Sequence, residues 1–178
     1  MTNGPTSLAT VFDGWDGFHT SIVHAIELLT SDQLAWRPRP GHRSVAELAG
    51  HLASGRIDWF SRMPAPGSLA LVEQSSAAFG DGEISGDRET LLYWLNATWQ
   101  MIADTLNQWT VADLSRTYRH EYGEQVFAVS YQWTIWRILT HDMHHGGELA
   151  LMLGMQGLEV PELGDQFGHL TMPPLAEG

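Results

Sequence analysis

Apolar residues return at steps of three and four from Leu8 onward, through Val11, Phe12, Trp15, Phe18, Ile22, Ile26 and Leu29. This spacing predicts one amphipathic helix after Pro5, ending near Thr30-Ser31-Asp32. The prolines and glycine of "WRPRPGHRS" then predict a loop. Ser44 followed by Glu47 has the form of a capping box, which starts a second helix at Val45 carrying Leu48, Ala49, Leu52, Trp59 and Phe60 inward. "MPAPGS" stops that helix. Residues 64–86, rich in Gly, Ser, Ala and Pro, predict a long connection with room for one short helix. Asp87 caps a third helix, whose stripe is Leu91, Leu92, Leu95, Trp99, Ile102, Leu106 and Trp109. Between Thr110 and Val129 the pattern is weaker: "TVADL" reads as a capped turn, and "EQVFAVS" as either extended chain or the approach to a helix. A fourth helix runs from about Ser130 to Leu153 and closes at Gly154, with Gly157 and Pro161 beyond it.

These elements predict an all-α chain, an antiparallel four-helix bundle with a long crossover between helices two and three, forming a single domain over residues 1–178. The fourth helix carries two apolar faces. At about 100° per residue, Thr134, Ile138, His141, His145, Glu148, Leu149 and Met152 share one. Trp136, Leu139, Met143, Gly147 and Ala150 share nearly the opposite one. Only one face can enter the bundle, so the other predicts a homodimer, with Gly146 and Gly147 allowing close backbone approach between subunits.

Composition narrows the chemistry. The 178 residues contain no cysteine, which excludes thiolate–zinc sites, iron–sulfur clusters and cysteine nucleophiles, so any metal must be held by nitrogen and oxygen. Nine Lys and Arg against 21 Asp and Glu leave a net charge of −12, a field that repels nucleic acid. "MTNGPTSLAT" has no basic region followed by an apolar core, and no apolar run reaches the roughly 18 residues of a membrane span. The expectation is a cytoplasmic protein with neither a nucleic-acid nor a membrane partner.

The densest chemistry lies in "HDMHHGGEL", residues 141–149. His141 and His145 stand one helical turn apart on the inward face, where two imidazoles can chelate one ion. His51, between Leu48 and Leu52 on the flank of the second helix's stripe, is the best third ligand. His144 points some 60° from His141 and reads as a neighbouring or surface group, although "HDMH" is an alternative pair. Asp142 reads as a surface charge or a partner of Arg137. His19 and His24 on the first helix, and His42 and His169 in loops, read as ordinary hydrogen-bonded residues. Of the eight tryptophans, Trp94, Trp99, Trp109, Trp133 and Trp136 read as packing and interface. The alternative is that some line a substrate pocket with Trp59 and Phe60, beyond His51.

"SVAELAGHLASGRIDWF" and "ILTHDMHHGGELALMLGMQGL", with "LTSDQLAWRPRPG" upstream, resemble the DinB-like superfamily over essentially the whole chain. The resemblance implies a four-helix bundle, commonly homodimeric. It also implies a divalent metal held by one histidine of the second helix and an HxxxH pair of the fourth, here His51, His141 and His145. Glu148 departs from the glutamine that many members carry; it is a candidate fourth ligand, base, or acceptor for a histidine N–H, and the alternative is a carboxylate at the end of the metal pocket that only balances charge. Relatives of this kind include bacillithiol transferases and mycothiol-dependent maleylpyruvate isomerase. The resemblance therefore implies a metal-dependent transferase that places a low-molecular-weight thiol on an electrophilic small-molecule substrate. The alternatives are a hydrolase using metal-bound water and a non-enzymatic, metal-stabilised stress-response dimer. Nickel or zinc is the expected occupant on isolation, with iron and manganese as alternatives. Arg37, Arg39, Arg43 and Arg56 lie near the second helix, and they form no obvious cluster for a sugar-acid thiol.

Overall fold

The computed structural model describes residues 7–159 of the chain, which are mostly helical with one two-stranded sheet. The first apolar stripe forms two helices where the periodicity predicts one. α1 (Leu8–Val11) and α2 (Trp15–Glu27) flank a turn in which Gly14 takes φ 94°. A left-handed residue cannot continue a right-handed helix, so the axis breaks there while the apolar register continues. α3 (Ser31–Ala35) follows, begun by a reciprocal cap between Thr30 and Gln33 at what the periodicity marks only as a helix end.

α4 (Val45–Arg62) begins at the predicted capping box: the Ser44 hydroxyl accepts from the Glu47 N–H, and the Glu47 carboxylate accepts from the Ser44 N–H. The long connection contains α5 (Ser68–Phe79), which buries little beyond Ser68 and Leu71. Asp87 caps α6 (Arg88–Gln108) by accepting from the Thr90 N–H. A 3₁₀ turn at Val111–Ser115 leads into β1 (Thr117–Tyr122), which pairs antiparallel with β2 (Gln125–Ser130). The hairpin turns at Gly123, with φ 60°, as a two-residue turn requires. β1 is largely exposed on both faces, so its sequence "TYRHEY" carries no apolar alternation to reveal it.

α7 (Tyr131–Met155) starts directly from β2, with the Ser130 hydroxyl accepting from the Trp133 N–H. It runs through Gly154 and stops only where Gly157 enters the left-handed region, at φ 76°. Pro161 and His169 lie outside the described residues.

α4 packs against both α6 and α7, and α2 packs against the same two helices. Their shared core includes Phe18, Ile22 and Ile26 of α2, Leu52 and Phe60 of α4, Leu95 and Ile102 of α6, and Ile135, Ile138 and Leu149 of α7. The second face of α7 is partly uncovered in the single chain: Trp136 is 60% exposed and Met143 44%, while Leu139 and Ala150 are half-buried against the core. Gly146 does not belong to that face. A Cβ there would run into the Phe18 ring, so this glycine lets α2 approach α7 inside the molecule, while Gly147 faces open space. No helix among the described residues is long and apolar enough to cross a membrane.

Candidate metal centre

His51 of α4 and His141 and His145 of α7 each bring one ring nitrogen to a common point, all within 4.8 Å of one another. The closest approach is 3.2 Å, between His51 Nε2 and His141 Nε2. Two nitrogens each ~2.1 Å from one ion stand roughly 3.0 to 3.4 Å apart at octahedral to tetrahedral angles, so this spacing fits a shared cation. The three ring centroids lie 4.5 to 5.0 Å from one another.

The outer nitrogens are held as metal-ligating imidazoles usually are. His51 Nδ1 donates to Glu83 Oε1 at 2.8 Å, and His145 Nδ1 donates to Glu148 Oε2 at 2.9 Å. Each bond fixes the tautomer whose Nε2 lone pair faces the cluster. His141 Nδ1 is buried without a hydrogen bond, 3.9 Å from Asp142 Oδ1. Burial lowers the pKa of His145, and the neighbouring His141 and His51 lower it further against the opposing pull of Glu148. The ring is thus kept neutral, which is the form that binds metal. Burial alone would raise the Glu83 carboxyl, but hydrogen bonds and charge from His51 and Arg43 outweigh it and hold the group below its ordinary value. His144 is exposed; with His145 and Glu148 it forms a second compact group, but His145 Nδ1 is already committed to Glu148 there.

Two glycines of α4 make room for this arrangement. A Cβ on Gly55 would stand 2.9 Å from His141 Cε1, and a Cβ on Gly50 would collide with the backbone of Ile84. Ile84 is buried and its N–H donates to Ser54 Oγ at 2.8 Å, which fastens the segment carrying Glu83 along α4 beside His51. Glu83 has no sequence motif. The available signal is a helix interior with glycines at 50 and 55, each costing about 1 kcal/mol relative to alanine unless close packing requires it.

Asp142 corrects the surface reading. Its side chain is 0% exposed and pairs with Arg56 of α4, also 0% exposed, at 2.8 Å; Arg137 is not its partner. Arg56 Nε also reaches both carboxylate oxygens, and Trp15 Nε1 donates to Asp142 Oδ2 at 3.0 Å. Burial by itself raises the Asp142 carboxyl, but Arg56 and the surrounding donors override it and hold the group below its ordinary value. Arg56 Nη1 further donates to His19 Nδ1 at 3.4 Å. His19 is the hydrogen-bonded core histidine expected, with Nε2 against Asn96 Oδ1 at 3.3 Å and its ring stacked on Trp99. Arg37 and Arg43 are engaged as well, with Glu47 and Glu83.

The family model of the DinB superfamily matches residues 16–149, and the chain belongs to that superfamily. It is similar to a DinB-family protein from Exiguobacterium sibiricum 255-15 at 22% identity and TM-score 0.59, over 86% of this chain and 95% of that one. It is also similar to a DinB-like protein from Bacillus cereus ATCC 10987 at 14% identity and TM-score 0.59, over 89% of this chain and 98% of that one. At these identities the two structures speak for the fold. No curated protein matches the chain.

Proposed function

We propose that this protein is a single-domain, antiparallel four-helix bundle, with a long crossover between its second and third long helices, that holds one divalent cation on His51, His141 and His145. It uses this site to transfer a low-molecular-weight thiol to an electrophilic small molecule. The observation that carries the reading is the convergence of three ring nitrogens, two of them backed by carboxylates on their far side. A bound divalent ion would supply Lewis-acid stabilisation of a thiolate, a nucleophile that this cysteine-free chain lacks. Nitrogen-only ligation favours nickel or zinc among the ions encountered on isolation.

The protein's own residues prepare the site. Glu83 and Glu148 hold the imidazoles by their outer N–H groups and supply negative charge close to the cluster. Because the Glu148 carboxylate is engaged with His145, it serves as a positioning group rather than a free base, which weighs against the hydrolase reading.

The test is turnover of an aryl chloride activated by nitro groups, with and without added thiol, before and after metal removal by chelator. In the reaction a sulfur–carbon bond forms, the carbon–chlorine bond breaks, and chloride and the thiol's proton are released. Product should require both thiol and metal. Metal-dependent ester hydrolysis without thiol, and no thiol transfer, would replace this reading with the hydrolase.

A further inference from the structure

A cavity of about 620 Å³ lies beside the histidine cluster, where α4 and α7 meet the hairpin. Its walls include Trp59, His120, Tyr122, Phe127, Trp133 and Arg137. The volume is that of a small-molecule site, and the lining is mainly aromatic with one strong cation. A second cavity of about 510 Å³ contains His51, Glu83 and His141, and it shares Trp59 and Arg137 with the first. The two spaces therefore adjoin at Trp59 of α4 and at Arg137, which lies one helical turn along α7 from His141.

Arg137 differs from the arginines around it. Arg43, Arg56 and Arg62 are matched with Glu83, Asp142 and Asp58. Arg137 pairs with no carboxylate among the described residues; its guanidinium rests 4.6 Å from the ring centroid of Trp59 and 5.5 Å from that of Trp133. A guanidinium held by aromatic faces keeps its N–H edge for a planar anion, and a carboxylate matches that edge with two hydrogen bonds. In a chain of net charge −12, an arginine without a carboxylate partner that lines a cavity gives that cavity a place to admit an anion. Phe127 and Trp133, 43% and 47% exposed, leave ring surface for the ligand's flat apolar body.

We infer that this cavity binds a small aromatic carboxylate, with its anionic group on Arg137 and its ring against Trp133 and Phe127. That this ligand is the substrate rests on the proposed function; that it binds here does not.

Titration calorimetry with 1-naphthoate and the neutral 1-naphthamide tests the site. Wild-type protein should bind naphthoate at least tenfold more tightly than naphthamide. Arg137→Gln should abolish that preference without changing naphthamide binding or metal content, and Phe127→Ala should weaken both ligands. His145→Ala, which is not part of this cavity, should bind naphthoate as wild type does even where its metal is lost. Equal wild-type affinity for the two probes, no saturable binding, a preference that survives in Arg137→Gln, or loss of naphthoate binding in His145→Ala would each overturn the inference. The His145→Ala result separates this site from the metal reading, because a failed metal site leaves naphthoate binding intact.

Discussion

Asp142 and Glu148 are carboxylates of the same helix that the fold uses differently. Asp142 is sealed against Arg56, whereas Glu148 stays partly open and holds His145. The helical register places His141, His145 and Glu148 on one face, and that much was legible from spacing. The partner of Asp142 was not, because pairing across helices depends on which side chains the packed core brings together. A glutamine at 148 can still accept from His145 through its amide oxygen, so Glu148→Gln should retain metal and most activity; a variant that keeps its metal but is inactive would make Glu148 a base. His19 offers a pH test. Burial first, and Arg56 second, lower its pKa from 6.5 to about 3. The unfolded chain takes up that proton below about pH 6.5 and the folded protein does so only near pH 3, so this stability is complete above 6.5 and lost as pH falls across the window. In urea titrations at pH 7 and pH 5, wild type should lose about 2 kcal/mol more than His19→Gln. Equal losses would mean that His19 is not held neutral.

At the scale of elements, α4 and α7 are locked together by the Arg56–Asp142 pair and set close by glycine. Removing one partner of a buried pair leaves the other charge uncompensated, so Asp142→Ala should cost about 3–5 kcal/mol in chemical denaturation. A loss under 1 kcal/mol would contradict the sealed pair. Gly55→Ala should displace the His141 ring, weakening metal binding by at least tenfold while the far-ultraviolet dichroism stays helical. Unchanged metal affinity would show that His141 tolerates the added methyl. The long helices and their caps were readable because apolar stripes and Ser or Asp caps are local signals. The break at Gly14 was hidden because the stripe stays in register across it. The hairpin was hidden because β1 has no buried face to impose alternation.

For the whole molecule, the exposed part of the second face of α7, with Trp136, Met143 and Gly147, supports the proposed homodimer. Gly147→Arg should sediment as a monomer that keeps its metal; wild type sedimenting as a monomer at micromolar concentration would remove the proposal. The three-histidine centre joins helices far apart in sequence, and only its HxxxH half is a local pattern. Its direct test is elemental analysis of protein purified without an affinity tag. Wild type and His144→Ala should each carry close to one divalent ion per chain, and His51→Ala, His141→Ala and His145→Ala should each lose most of it. Equal occupancy in His144→Ala and His145→Ala, or a metal content unaffected by all three ligand replacements, would contradict the account.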